Sequence, residues 1–399
     1  MIEPSPPPTS RRVQSVDALR GAIMIVMAID HIRDFIHAGA MRFSPTDLTQ
    51  TTPAIFLTRF ITYFCAPVFM LTAGIGAFLR LRRSTKKALS LFLLSRGLWL
   101  VVLELTILRF IVFFQIKLTG SLVFLMVIWA LGLCMIVLAA LVHLPMRALL
   151  LLSIAVIATH NLCDSIDPSL FGRAGWLWAI LHRQTVFSFH GVSFLVAYPI
   201  VPWIAVMSAG YCLGPVFLWE PQRRQRALFW LGVALTVAFV VVRALNRYGD
   251  PAPWSTQRSA LFTLLSFLNT TKYPPSLSFL LMTIGPALVV TSWLDRLTLS
   301  PKNPLIVFGR VPFFFYVLHF AVVHLIAIAL GAVRYGHGRF LLLPPPSMGG
   351  PPELFPASYG FSLWTVYAVW ILVIALLYPA CAWFARLRQR RHDWWLSYL

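Results

Sequence analysis

Ser15-Val-Asp17-Ala-Leu-Arg20-Gly-Ala-Ile-Met24-Ile-Val-Met27-Ala-Ile29-Asp30-His31-Ile-Arg33-Asp34-Phe-Ile-His37 decides how the rest of the chain is read. Its middle, Gly21–Ile29, is apolar enough for lipid, yet ionisable groups close both ends. Charged groups inside a membrane span are costly, so they face a bundle interior and usually serve a purpose there. Asp17, Arg20, Met24, Met27, His31 and Asp34 step by three or four residues and share one helical face. Arg20 and His31 lie three turns apart, about 16 Å along the axis.

Working outward, composition fixes the class. The chain has 399 residues, 59% hydrophobic, with a mean hydropathy of +0.78. Charged residues are 12%, about half the share in ordinary soluble domains. Continuously apolar segments recur without strict alternation, which points to an all-α polytopic membrane protein and excludes a β-barrel. About ten spanning segments are expected, with a range of nine to eleven. They run Val16–Ile36, Ala54–Phe78, Leu89–Phe114, Ser121–Val142, Ala148–His160, Val192–Leu218, Leu228–Ala244, Pro275–Trp293, Pro304–Leu330 and Ser362–Phe384. These form one transmembrane domain over residues 15–385, between a Pro-rich tail, 1–14, and a basic, aromatic tail, 386–399. No cleavable signal peptide is expected ahead of the first apolar run.

The net charge of +20 is spread in short clusters between apolar segments, not gathered in a stripe, so nucleic acid is not an expected partner. Juxtamembrane clusters set topology and attract anionic lipid head groups. Alternate loops carry them: Arg11-Arg12, then Arg80, Arg82, Arg83, Lys86 and Lys87, and so on to Arg390-Arg391. The positive-inside rule puts both termini in the cytoplasm. Asp17 and Arg20 then lie near the cytoplasmic face, and Asp30, His31, Asp34 and His37 near the outer one. The long loops Asn161–Gly191, Asn246–Pro274 and Gly331–Gly360 fall on the outer side, where their length suits a substrate roof.

His31 beside Asp30 and Asp34 is the leading catalytic candidate, because a carboxylate fixes an imidazole's tautomer and strengthens it as a general base. His37 either extends that site or is merely solvated. Asp17 and Arg20 read as an interfacial ion pair, or as a binder of phosphate or carboxylate through the planar guanidinium. Arg96 and Glu104 read as a structural ion pair. In Phe308-Gly-Arg310-Val-Pro312-Phe-Phe-Phe-Tyr316-Val-Leu-His319, Pro312 should distort the helix near Arg310, and Tyr316 and His319 share a face. Structural and substrate-binding readings both stand there. Lys272 either holds an anionic group or anchors at the interface. His182 and His190 come without carboxylate companions, so no metal site is expected. The five cysteines are scattered without a CxxC pair and read mainly as small core residues. No P-loop, HExxH, GxSxG or dinucleotide fingerprint is present.

Ser15-Val-Asp17-Ala-Leu-Arg20-Gly21, Lys272-Tyr-Pro-Pro-Ser-Leu, Asn303-Pro-Leu-Ile-Val-Phe-Gly-Arg310, Phe315-Tyr-Val-Leu-His319 and Trp394-Trp-Leu-Ser-Tyr-Leu together resemble the bacterial branch of the heparan-α-glucosaminide N-acetyltransferase catalytic-domain family. The Arg20-to-His31 spacing also matches the wider transmembrane acyltransferase superfamily. The resemblance implies transfer of an acyl group, acetyl foremost, from cytoplasmic acyl-CoA to a sugar hydroxyl or amine of an extracytoplasmic glycan or glycolipid. It implies His31 as the catalytic imidazole, Arg20 near the donor, a plasma (bacterial inner) membrane setting and no permanently bound cofactor. The lysosomal enzyme resembles this chain with Asn where His31 falls and its own catalytic His further on, and His37 is the nearest residue here. A transporter or flippase for an anionic or lipid-linked solute is the competing class, since the same residue types build proton relays. Oligomeric state is left open.

Overall fold

The computed structural model describes residues 13–114, 122–391, 393 and 396. Arg11-Arg12 and the closing aromatic motif, apart from Leu396, lie outside them. The helices are α1 (Gln14–Ile36), α2 (Pro53–Thr62), α3 (Cys65–Leu81), α4 (Lys86–Leu103), α5 (Arg109–Phe113), α6 (Val127–Leu141), α7 (Met146–Thr159), α8 (Gly175–Leu181), α9 (Ile200–Leu213), α10 (Pro221–Leu245), α11 (Ala260–Leu268), α12 (Leu277–Leu294), α13 (Pro304–Arg310), α14 (Pro312–Tyr335) and α15 (Leu363–Arg390). Strands β1 (Leu122–Leu125), β2 (Thr185–Phe189) and β3 (Val192–Val196) form one sheet, with β3 central, parallel to β1 and antiparallel to β2.

Eight helical segments among the described residues are long and apolar enough to cross a membrane. Each of the ten expected segments contains a helix, but two fall short of that standard. In α1 the charges of Asp17, Arg20, Asp30, Arg33 and Asp34 lower the apolarity, while α6 has only 15 residues. Two expected spans also begin differently from a helix. The stretches before α6 and α9 are extended, as β1 and β3, because Val, Phe and Leu there pair across a sheet. Pro312 acts as anticipated: the helix breaks at Val311 between α13 and α14.

Helix α1 is central. It packs against α13, α14, α15, α3 and α12, and its buried residues lie all around its circumference. At the α1–α13 crossing the backbones nearly touch. A Cβ on Gly309 would run into the Asp17 carbonyl, and one on Gly21 into that of Leu305. Lipid tails are as apolar as leucine, so such close approach of backbones replaces the hydrophobic drive between helices. Trp370 of α15 adds a hydrogen bond from Nε1 to the Ile25 carbonyl at 2.7 Å. Helices α7 and α10 lie outermost, and Trp230, Val237 and Val241 are exposed as lipid-facing side chains would be.

Candidate functional site

The apolar interior brings two distant histidines together. Nδ1 of His31, on α1, lies 2.7 Å from Nε2 of His319, on α14, and the two rings stack at 5.0 Å between centroids. Nδ1 of His319 lies 3.2 Å from the carbonyl of Phe315, one turn earlier. A carbonyl only accepts, so neutral His319 carries its proton on Nδ1 and offers a lone pair at Nε2. His31 must then donate from Nδ1, which leaves its Nε2 as the basic nitrogen. Phe320 stacks on the His31 ring at 4.2 Å and Tyr316 meets it edge-on at 6.3 Å, holding its plane. His319 is fully buried, whereas His31 lines a cavity.

The carboxylates expected to orient His31 are committed elsewhere. Asp30 pairs with Arg33 at 2.8 Å, one turn along α1, and with Arg59 of α2. Arg33 also donates to Asp34 at 2.6 Å. Buried guanidinium groups demand such partners, and the pairing follows from that cost. The orienting role falls to His319 instead.

The cavity has a volume of about 890 Å³ and spans the C-terminal half of α1. Asp30, His31, Arg33, Asp34 and Tyr316 line it together with Arg59, Glu104, Arg109, Lys272 and Tyr273. Residues 40–46, 269–273 and 346–349 form its loops, and β1 and β3 contribute part of one wall. Glu104 was not anticipated here. A π-helical turn over Glu104–Leu108 interrupts the helix between α4 and α5, and its carboxylate accepts the Trp129 amide hydrogen at 3.1 Å. Such turns re-aim side chains and recur at functional sites. The sequence signal was a Glu in an apolar run, read there as the ion-pair partner of Arg96.

Lys272 is buried against the rings of Tyr63 and Tyr273, at 5.9 and 5.1 Å. Burial pushes the Tyr273 phenol up, but Lys272 and Arg59 outweigh it and hold it below its ordinary value. Its hydroxyl donates to that of Tyr198 at 3.4 Å.

Five predicted residues do not line the cavity: Asp17, Arg20, Arg310, His37 and His319, the last of which reaches it only through His31. Arg20 donates to the Thr72 carbonyl of α3, Asp17 packs at the α1–α13 crossing, and the Arg310 carbonyl accepts from Arg388 at 3.0 Å. Asp17 and Arg20 lie in the N-terminal half of α1, and Arg310 closes α13. His37 sits one residue past α1, bridged to Phe361, and burial together with Arg33 pushes its imidazole down to about 4. His182, read as lacking a carboxylate, has one: Nε2 lies 2.9 Å from Asp164 Oδ1, through a loop fold that spacing does not reveal.

The family model for heparan-alpha-glucosaminide N-acetyltransferase, catalytic, matches residues 12–248. The chain belongs to this family. A search of the curated proteins found no match. Membership makes the protein a membrane acyltransferase. The matched region holds His31, the Asp30–Arg33–Arg59 ion pairs and Glu104. Lys272, Tyr316 and His319 come from the part of the chain beyond it.

Proposed function

We propose that the protein moves an acyl group, acetyl foremost, from cytoplasmic acyl-CoA to a hydroxyl or amine of an extracytoplasmic sugar or glycolipid. The observation that carries the mechanism is the Phe315–His319–His31 hydrogen-bond chain, which leaves a basic nitrogen on a ring lining the cavity. In this reading the ten apolar segments cross a bacterial inner membrane with both termini in the cytoplasm. The distribution of arginines and lysines supports that orientation. His31 then stands toward the outer face, and the donor reaches it from the Arg20 side.

His31 Nε2 removes the proton of the acceptor hydroxyl or amine as that atom attacks the thioester carbonyl. The carbon–sulfur bond breaks, and the imidazolium returns the proton to the CoA thiolate. Positioned general base catalysis of this kind contributes about 10²–10⁴-fold. Lys272 and Arg59, both on the cavity wall, counter the charge that develops on the carbonyl oxygen.

The test is transfer of label from acetyl-radiolabelled CoA to membrane glycan, comparing the native protein with His31→Ala. Label that appears with the native protein and is lost with the variant supports the assignment. Full transfer by His31→Ala overturns His31 as the base. Solute accumulation in sealed vesicles without acyl-CoA, and no label, would favour the transporter.

A further inference from the structure

Away from the cavity, at the end of α7, His160, Asp164 and His182 converge. One ligand atom from each lies within 4.8 Å of the others. His160 opens a short 3₁₀ turn over His160–Cys163, Asp164 follows that turn, and His182 caps α8. The two imidazole rings stand 5.6 Å apart at 66°. His160 is only 5% exposed, yet neither ring nitrogen has a hydrogen-bond partner among the described residues. Buried polar atoms are rarely left unpaired, and one that is calls for an explanation such as an ion.

The surroundings are built to hold the other two ligands. Asn161 donates to Asp164 Oδ2 at 2.7 Å, and its own Oδ1 accepts the Leu277 amide hydrogen at 2.9 Å, which ties the carboxylate to α12. Trp178 packs on the His182 ring at 5.2 Å and donates from Nε1 to the Ile166 carbonyl at 3.0 Å. Such outer contacts orient metal ligands. Two imidazoles and a carboxylate suit zinc and similar divalent transition ions, with water completing a tetrahedron.

We propose that His160, Asp164 and His182 bind a divalent transition-metal ion of the zinc class that clamps the end of α7 to the segment leading into β2. That segment continues to Gln184, on the cavity wall, so the ion braces one side of the acceptor space. The ion replaces the His182–Asp164 contact with bonds from both groups and gives His160 its missing partner.

The experiment uses the full chain in detergent, purified without a histidine tag, incubated with Zn²⁺ and desalted. Metal content is read by elemental analysis for the native protein, His160→Gln, His182→Ala and the control His190→Ala, whose imidazole is exposed in the β2–β3 turn. His160→Gln is the decisive variant, because no hydrogen bond of the ring is lost with it. We expect about one zinc per chain in the native protein and control, and affinity weakened at least tenfold in both site variants. Co²⁺ in place of zinc should give visible d–d absorption that His160→Gln abolishes. Native protein without zinc, or equal zinc in native protein and His160→Gln, overturns the site. The readout is independent of acyl transfer.

Discussion

His31 and His319 are 288 residues apart in the chain and 2.7 Å apart in the fold. His319 is held through its Nδ1 by Phe315, so it acts on His31 as an acceptor. The pair repeats, with an imidazole in place of a carboxylate, the way a buried partner fixes the tautomer of a general base.

This acceptor role distinguishes two substitutions. Gln at position 319 retains an oxygen that accepts from His31 Nδ1, whereas Leu does not. His319→Leu should lower kcat by about 10–100-fold, and His319→Gln by clearly less, with KM for acyl-CoA little changed in either. Steady-state kinetics on reconstituted protein measures both. Equal losses would argue that His319 serves packing alone.

Asp30 is shared by Arg33, with a side chain 3% exposed, and Arg59, at 14%. Asp30→Asn leaves two guanidinium groups facing a neutral amide inside the bundle. Removing one partner of a buried pair costs about 3–5 kcal/mol. A lowered Tm in detergent should register it, and adding Arg59→Met should recover part of the loss. A double-mutant cycle without coupling would show that the contact contributes little.

The α1–α13 crossing tolerates no Cβ at Gly309, because the obstacle is the Asp17 backbone and not a movable side chain. Gly309→Ala should cost about 1–3 kcal/mol or more through forced backbone shifts. At Gly76 a new Cβ meets only the guanidinium end of Arg20, a side chain and not backbone, at 3.1 Å. Gly76→Ala should therefore stay within about 0.5 kcal/mol of the native protein. Parallel thermal melts decide between them.

His37 gives the stability a pH dependence. Burial, then Arg33, lowers its pKa from 6.5 to about 4 in the folded chain. The unfolded chain thus takes up a proton at higher pH than the folded one. Its stabilising share is complete above about 6.5 and is lost as the pH falls through that value towards 4. Tm measured from pH 7.5 to 5 should fall less steeply for His37→Phe than for the native protein. Parallel curves would mean His37 titrates normally.

The sequence by itself determined the class and much of the cast. Continuous apolar runs require helices in lipid because backbone groups there must pair within the segment, and Pro312 dictates the break before α14. Ionisable residues in α1 marked the centre, since their cost in a membrane demands use. Tertiary structure decided the partners. Helical periodicity says which residues share a face, but not which neighbouring helix meets that face. Hence His319, and not Asp34, orients His31, while Asp30 answers Arg59. For the same reason Glu104 reaches the cavity by way of a π turn, Arg20 lies away from it, and Asp164 joins His182 across a loop. Crossing geometry, set by close contacts such as Gly309 on Asp17, makes those choices, and it depends on the whole packed bundle.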